Sequence, residues 1–269
     1  MPNILLAVLG LDVPNMTFLY GNKRVTRPIT DHPPIIQNTL WGAIGTMNIL
    51  NPGSAIAPSA QIDGVKALPV NGQVQMELMA EYIFKLFQQG VGLLALQEVP
   101  DPRSANFRFL SDKLKSLVGS SSLIDVDVLT SQWLKTGTHS FGTSMLCNPS
   151  QFHISINASP GLNNRVAICE VTSANAQTIP VANLHGDFTK QVDTANYVAD
   201  FDGFCLGDLN IEHSFFAPAQ DAKTVQSIER PTVQIEGNTC LISTIDFIQD
   251  TYSKRFNPAF RADMDCLKQ

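Results

Sequence analysis

Short apolar runs of strand length dominate the middle of this chain. Between residues 122 and 185 the sequence predicts strands in direct succession, at 123–130, 140–147, 152–157, 165–172 and 178–185. Amphipathic helices are predicted on both sides of this segment, and strands return at 203–207 and 240–249. Consecutive strands flanked by helices are typical of a layered α+β domain with mostly antiparallel sheets.

Two predicted helices have clear apolar faces. The segment 73–90 carries apolar residues at the i, i+3, i+4 and i+7 spacing, and Asn71 is a suitable N-cap. A second helix is predicted at about 104–118, capped by Ser104. Between them, the run 91–99 is continuously apolar, which indicates a strand covered on both faces.

Composition allows one large folded domain or two small ones, and no shift in composition marks a linker between two. The 269 residues are 44% apolar and only 16% charged, which suffices for a substantial core and disfavours disorder. We therefore predict a single domain, 1–269. Residues 1–40 are rich in proline and are predicted to be an irregular N-terminal extension with one or two strands. The polar segment 214–238 is predicted to be a loop or short helices.

Charge, hydropathy and cysteine content indicate the binding partners and the cellular compartment of the protein. The formal net charge is −6, so no global attraction to nucleic acid or anionic membrane is expected. No basic residue precedes the first apolar run, and no run reaches 18 apolar residues, so neither a signal peptide nor a membrane span is predicted. The five cysteines form no CxxC pair and are predicted to be buried free thiols. We expect a cytoplasmic protein, or one exported without an N-terminal signal peptide.

Polar residues able to bind a cation or a phosphate stand at the ends of four apolar runs and inside a fifth. They are Asn48 in GTMNIL, Glu98 in LLALQEVP, Asn183 and His185 in VANLHGDF, Asp208 and Asn210 in FCLGDLN, and Asp246 in CLISTIDFIQ. An acid inside an apolar strand is costly to desolvate unless it is paired or binds a metal. Because neighbouring strands can bring such residues to one edge, we expect them to converge around a hard cation such as Mg²⁺.

The order of these motifs resembles the endonuclease/exonuclease/phosphatase family, whose fold is DNase I-like. The motifs of that family, in chain order, are an Asn at a strand end, Gln-Glu, Asn-x-His, Gly-Asp-x-Asn, a strand that contains Asp, and a closing Ser-Asp-His. The resemblance covers residues 44–248. Each motif alone is weak, but five in the family's order are specific. The resemblance implies a four-layer α/β/β/α sandwich of two mostly antiparallel sheets.

The same resemblance implies a Mg²⁺-dependent phosphoester hydrolase, with Mn²⁺ as an alternative ion. Water would attack phosphorus in line while the metal neutralises the added charge. The implied metal-binding residues are Glu98, as the principal ligand, Asn48 and Asp246. The implied catalytic residues are His185, Asp208, Asn210 and Asp246. The implied phosphate-binding residues are Asn48, His185 and Asn210. The implied substrate is a phosphoester, with nucleic acid, inositol phosphate and other esters left open.

The closing motif of the family is not matched. Ala262, Asp263 and Met264 stand where the family has Ser-Asp-His, and methionine cannot accept a proton at neutral pH. Three alternatives stay open. The chain is a catalytically impaired relative that binds a partner protein or phosphorylated ligand; or His32 or His213 replaces the missing base; or hydrolysis is slow, because proton transfer contributes about 10²–10⁴-fold.

Restoring the family histidine tests the alignment of the tail. Met264→His should raise the rate of phosphodiester hydrolysis by about 10²-fold if position 264 is that of the missing base. The rate is measured with bis(p-nitrophenyl) phosphate and Mg²⁺, beside Met264→Leu as the control. An unchanged rate in Met264→His would reject this alignment.

Overall fold

Two sheets with helices packed against them make up most of the structure, which is a computed structural model. The structure describes residues 11–20, 23–30, 32, 34–39, 41–52, 67–69, 71–155, 159–162, 164–175, 178–201, 203–211, 224–227, 234–236, 239–241 and 244–250. No helix within these ranges combines the length and hydropathy needed to cross a bilayer.

The described elements are mostly strands. The strands are β1 (Asn15–Tyr20), β2 (Lys23–Pro28), β3 (Ile35–Thr39), β4 (Gly42–Asn48), β5 (Ala67–Pro69), β6 (Val91–Pro100), β7 (Leu134–Lys135), β8 (Phe141–Cys147), β9 (Phe152–Ile154), β10 (Ser159–Gly161), β11 (Val166–Ser173), β12 (Thr178–His185), β13 (Phe204–Ile211), β14 (Thr224–Ser227), β15 (Gln234–Glu236), β16 (Thr239–Leu241) and β17 (Thr244–Asp250). The helices are α1 (Gly72–Gln88), α2 (Ala105–Val118), α3 (Asp127–Ser131) and α4 (Gln191–Asp200), with a 3₁₀ turn at Phe188–Lys190.

The two large sheets are mostly antiparallel. One has five strands in the order β3-β4-β6-β8-β7, and the other has seven, β10-β11-β12-β13-β17-β14 with β9 also paired to β11. Among the pairs in the described residues, only β4–β6 and β12–β13 are parallel. The predicted α+β class with mostly antiparallel sheets is confirmed. Each parallel pair also brings two strand carboxyl ends side by side, which places Asn48 beside Gln97, and His185 beside Asp208.

Apolar clusters hold these elements together. One cluster packs α1 and α2 on the five-stranded sheet, a second lies between the two sheets, and a third packs α4 on the seven-stranded sheet. Phe87 of α1 and Leu96 of β6 belong to the first cluster, and Ile44 of β4 and Phe204 of β13 to the second. The four-layer order itself stays a prediction.

A buried amide contact joins the two large sheets. Gln97 of β6 donates from Nε2 to Asn183 Oδ1 of β12 at 2.7 Å and to the Thr46 hydroxyl at 3.0 Å. Asn183 donates in turn to the backbone carbonyls of Leu96, at 3.1 Å, and Ser144, at 2.7 Å. Asn183 therefore does not face a ligand, although its position near a strand end suggested that it could. It fixes β12 against β6 and β8.

The predicted helices and their caps agree with the structure. Asn71 Oδ1 accepts the backbone N–H groups of Gln73 and Val74 at the start of α1, and Ser104 Oγ accepts that of Phe107 at the start of α2. Cys147 and Cys169 are buried free thiols, as predicted, and Cys205 is buried as well; the side chains of Cys240 and Cys266 lie outside what the structure describes. Burial raises the pKa of the Cys147 and Cys169 thiols to about 12.

Three segment predictions need correction. The predicted strand at 123–130 is wrong: Asp125 Oδ1 accepts the backbone N–H of Asp127, and the chain turns into α3. Its alternating apolar residues are buried without any strand pairing. Residues 1–40 contain β1, β2 and β3 rather than an irregular extension with one or two strands. The segment 214–238 contains strands β14 and β15, where a loop or short helices were predicted.

Breaking the amide contact should cost stability. Asn183→Leu keeps the approximate volume of the side chain. It removes the hydrogen bonds that the Asn183 amide makes to the carbonyls of Leu96 and Ser144 and to the amide of Gln97. We expect the free energy of unfolding to fall by about 3 kcal/mol in urea titrations. Thr172→Val, which removes a hydroxyl pair with Thr178 near the surface, should change it by less than about 0.5 kcal/mol. Equal losses in the two variants would contradict a structural role for Asn183.

Candidate functional site

Four of the predicted site residues come together between the two sheets. Asn48 ends β4, Glu98 lies near the end of β6, His185 ends β12 and Asp208 lies in β13. Asn48 Nδ2 is 2.9 Å from Asp208 Oδ2 and 3.3 Å from Glu98 Oε1. His185 Nε2 is 3.9 Å from Glu98 Oε1 and 4.0 Å from Asp208 Oδ2. One amide and one imidazole therefore face the same pair of carboxylates.

Irregularities in two strands orient these residues. Glu98 has φ of 56° and lies where the pairing of β6 with β8 shifts, between Leu96 and Val99. Asn210 has φ of 51° and lies where the pairing of β13 with β17 shifts, between Asp208 and Ile211. Left-handed backbone is uncommon and costly for residues other than glycine, and β-bulges redirect side chains. The two bulges thus place strained residues at the site from both sheets.

Two glycines allow β12 and β13 to approach each other beside the site. Gly207 has φ of 152°, and a Cβ there would collide with the Leu184 carbonyl. A Cβ at Gly186 would collide with the Leu209 carbonyl. Gly186 follows His185 and Gly207 precedes Asp208 in the sequence. Glycine is therefore needed at these two positions because another backbone approaches closely, in addition to the chemistry of the neighbouring side chains.

The amide of Asn48 has a fixed orientation. Its Oδ1 accepts the backbone N–H of Leu50 at 2.9 Å, which leaves Nδ2 directed at the two carboxylates. The Asn48 carbonyl accepts the Thr30 hydroxyl at 2.8 Å, and the Thr30 oxygen accepts the backbone N–H of His32 at 3.1 Å. The N-terminal segment is therefore tied to the end of β4.

Asp208 is held through both carboxylate oxygens. Oδ1 accepts the backbone N–H of Asn210 at 3.1 Å, and Oδ2 accepts Asn48 Nδ2. Asn210 donates from Nδ2 to the Gly186 carbonyl at 3.2 Å. Asp246 is the backbone partner of Asp208 across β13–β17. The backbone thus places Asp246 next to the other predicted site residues, and its side chain is outside what the structure describes.

His185 is a buried imidazole. Burial is the main cause that lowers its pKa from 6.5 to about 3; positive charge on Arg165, His139 and His32 contributes to the lowering, whereas Asp187 opposes it. The two nearby carboxylates also favour the imidazolium, but at 3.9 and 4.0 Å they lie beyond hydrogen-bond distance of Nε2. Desolvation therefore has the largest effect on the pKa of His185, and the imidazole is neutral at pH 7. Its Nδ1 has no hydrogen-bond partner among the described residues.

A group of residues that the sequence prediction missed lies beside His185. Arg165 pairs with Asp187 at 3.2 Å and donates to the Gly186 carbonyl at 3.3 Å. Arg165 Nη2 is also 3.5 Å from His139 Nε2. Phe141 lies between the two imidazoles, 4.7 Å from the ring of His139 and 5.3 Å from that of His185. No motif marks Arg165 or His139, whereas Asp187 lies only two residues after His185 in the sequence.

The site offers hard oxygen donors for a cation. The described residues contain no group of three or more His, Cys, Asp or Glu arranged to hold a metal ion. Glu98 and Asp208 nevertheless present two carboxylates around one amide. One or two carboxylates, completed by water and phosphate, are what Mg²⁺ commonly takes from a protein. The donor set fits a magnesium site of this open kind and does not fit a closed zinc site.

Of the two histidines that could replace the missing base, His32 is within the described residues and His213 is not. His32 is buried, and its charge influences the pKa of His185, so it lies near the site. His213 and the tail residues Ala262, Asp263 and Met264 lie outside the described residues. Of the two alternative histidines, the structure therefore places His32 in the neighbourhood of the carboxylates.

The chain matches no protein-family model and no curated protein sequence. Solved structures similar to it include TDP2 from C. elegans, with 15% identity, TM-score 0.45, and coverage of 66% of this chain and 59% of that one. The human Nocturnin catalytic domain with bound sulfate anion has 15% identity, TM-score 0.43, and coverage of 84% and 87%. ANGEL2, a 2′,3′-cyclic phosphatase, has 12% identity, TM-score 0.39, and coverage of 65% and 72%.

All three are members of the endonuclease/exonuclease/phosphatase superfamily that the sequence resembles. The chain spans less than two thirds of the length of the TDP2 structure. Because these identities and TM-scores are low, the contacts within the site carry the functional inference instead.

Acid should destabilise the protein through His185. Its pKa is lower in the folded chain than in the unfolded one, so the folded state binds fewer protons between about pH 3 and 6.5. The stability associated with the neutral imidazole is complete above pH 6.5 and falls as the pH drops. Between pH 7.5 and 5.0 the loss should be about 2 kcal/mol.

Urea titrations at the two pH values measure this loss. His185→Gln should reduce the pH-dependent loss, whereas His153→Gln, at an exposed histidine of β9, should leave it unchanged. An equal loss in the wild type and in His185→Gln would show that His185 is not held neutral.

Proposed function

We propose that this protein is a Mg²⁺-dependent phosphoester hydrolase, a phosphodiesterase, nuclease or phosphatase in which water attacks phosphorus in line. The observation that supports this most is the pair of carboxylates, Glu98 and Asp208, held against one amide and one neutral imidazole. Groups that bind a hard cation and groups that contact a phosphate are thus adjacent, as phosphoryl chemistry requires.

The two carboxylates favour a cation between them. Both accept from Asn48 Nδ2, so their negative charges lie close together; Asp208 is buried and Glu98 is partly buried. Like charges at this separation repel strongly in a low dielectric, and a divalent ion would relieve the repulsion. Glu98 would be the principal ligand, with Asp246 beside it. When bound, the ion would neutralise charge that builds on the phosphate.

Asn48 would serve the metal site indirectly. Its amide oxygen accepts from Leu50, so the group that it turns toward Glu98 and Asp208 is the NH₂. From there it would hold both carboxylates in place and donate to a phosphate oxygen, directly or through water. The resemblance implied that Asn48 binds metal or phosphate through water; we keep the phosphate contact, because an NH₂ group donates hydrogen bonds and does not ligate a cation.

Asp208, Asn210 and His185 would act on the phosphate and the attacking water. Asp208 is fixed through both oxygens and would orient the water. Asn210 would hold the phosphate from the adjacent bulge, where its backbone is strained. His185 has a buried Nδ1 with no partner among the described residues, and buried polar atoms are normally satisfied. A neutral His185 would donate one hydrogen bond to the phosphate.

The second candidate function is a binding module for a phosphorylated ligand or a partner protein. The replacement of the family histidine by Met264 favours it, because methionine cannot act as a base at neutral pH. The enzyme is preferred because costly polar groups persist at the site and because His32 lies near His185.

Glu98→Ala tests the hydrolase directly. With Mg²⁺ or Mn²⁺, hydrolysis across a panel of phosphodiesters and phosphomonoesters should fall at least about 10²-fold in the variant, since the principal ligand is lost. Chelation with EDTA should remove wild-type activity reversibly. Glu170→Ala, at an exposed acid of β11, is the matched control and should retain full activity. No turnover of any ester by the wild type would favour the binding module.

A further inference from the structure

A buried glutamine of α1 connects two segments that border the proposed site. Gln75 is 1% exposed, and its Nε2 donates to the Leu50 carbonyl at 2.8 Å and to the Ile29 carbonyl at 3.1 Å. Ile29 directly follows β2, and Leu50 lies two residues after Asn48, the last residue of β4. One side-chain NH₂ group therefore joins the helix to the N-terminal segment and to the chain that leaves Asn48.

The orientation of the Gln75 amide follows from its partners. Both are carbonyl oxygens, which only accept hydrogen bonds, so the NH₂ group must face them. The Oε1 atom of Gln75 is buried and has no hydrogen-bond partner among the described residues. A buried acceptor without a partner costs free energy. The contribution of this side chain to the structure thus lies in the two hydrogen bonds that it donates.

Leu50 depends on the first of these hydrogen bonds. It has φ of 54°, and left-handed backbone in a residue other than glycine persists only where the surroundings enforce it. Its carbonyl accepts from Gln75, and its N–H donates to Asn48 Oδ1 at 2.9 Å. Each backbone polar group of Leu50 therefore has a side-chain partner, one on α1 and one at the site.

The start of α1 gives Gln75 a fixed position. Gln75 lies in the first turn of the helix, where its backbone N–H donates to the Asn71 carbonyl at 3.2 Å. A Cβ at Gly72 would lie 3.1 Å from Pro52 Cβ, so this turn packs closely against the chain that follows Leu50. The donor is thus held by the helix and does not move with the segment that it supports.

We propose that Gln75 is a positioning residue for Asn48. By holding Leu50 in its left-handed conformation, Gln75 keeps Asn48 Oδ1 occupied, so that the Asn48 NH₂ group stays directed at the two carboxylates of the site. This inference rests on the proposed function, because it names a residue on which binding of the divalent ion depends. An Asn48 amide that turned over would face the carboxylates with its oxygen, and they would repel it.

Two matched variants separate positioning from general stability. Gln132, at the end of α3, is 2% exposed, its Nε2 donates to the Ser155 carbonyl at 3.0 Å, and its Oε1 also has no partner among the described residues. Gln75→Met and Gln132→Met each replace a buried amide by an apolar side chain of similar length. Both should lower the urea midpoint of unfolding, because each leaves buried carbonyls without a donor.

Only Gln75→Met should weaken metal binding. Residues that orient the groups around a metal typically change its affinity about 10- to 100-fold when they are mutated. Titration with Mn²⁺, followed by electron paramagnetic resonance, should show binding about tenfold weaker in Gln75→Met than in the wild type. Gln132→Met should bind Mn²⁺ as the wild type does.

Hydrogen exchange at Leu50 tests the same contact without a metal. The Leu50 N–H is protected by Asn48 Oδ1, so its exchange in metal-free protein should be at least about tenfold faster in Gln75→Met than in Gln132→Met. Comparison at equal distance from the unfolding midpoint removes the effect of global stability.

Gln75→Glu provides a second variant if Gln75→Met does not fold. Burial beside two carbonyl oxygens keeps a carboxyl group protonated, so its hydroxyl can donate one of the two original hydrogen bonds. We expect Mn²⁺ binding within about threefold of the wild type in this variant.

Equal Mn²⁺ affinity and equal Leu50 exchange in Gln75→Met and Gln132→Met would overturn the positioning role. Failure of the proposed function gives a different result. A wild type that binds no Mn²⁺ would reject the metal-dependent hydrolase, whereas faster Leu50 exchange in Gln75→Met alone would still show that Gln75 orients Asn48.

Discussion

The buried contact between Gln97 and Asn183 is the constraint on which the site depends. It joins the two large sheets through a 2.7 Å hydrogen bond inside an otherwise apolar interface. Glu98 directly follows Gln97, and His185 lies two residues after Asn183. The contact therefore sets the register in which one sheet presents its carboxylate to the imidazole of the other. Apolar packing alone is non-directional and would tolerate sliding of the sheets; paired amides do not.

Strain and close backbone approach then give the site its shape. Glu98 and Asn210 both have left-handed backbone in bulges, and Gly186 and Gly207 allow two strands closer than side chains would permit. Features of this kind persist only where surrounding structure enforces them. Here the enforcing structure is the pair of sheets, whose bulged strands β6 and β13 each bring a carboxylate to Asn48. Fold stability and site geometry are thus maintained by the same contacts.

Much of this could be predicted from the sequence, for identifiable reasons. Helical periodicity and the Asn71 and Ser104 caps are local signals, so α1 and α2 were found correctly. Polar residues ending apolar strands marked Asn48, Glu98, His185 and Asp208, because burial of such groups requires partners. The strand predicted at 123–130 failed because the Asp125 side chain caps a turn, a local hydrogen bond that outweighs alternation. Arg165 and His139 could not be found, since only the tertiary fold brings them to His185.

The central claim is that Glu98, Asp208 and Asp246 meet around one divalent ion. Crystals soaked in Mn²⁺ and measured for anomalous diffraction test it without reference to substrate or rate. We expect a strong anomalous peak within about 2.5 Å of a Glu98 carboxylate oxygen, flanked by Asp208 and Asp246. A saturating soak that leaves no peak between these three carboxylates, or places manganese only elsewhere on the protein, would contradict it.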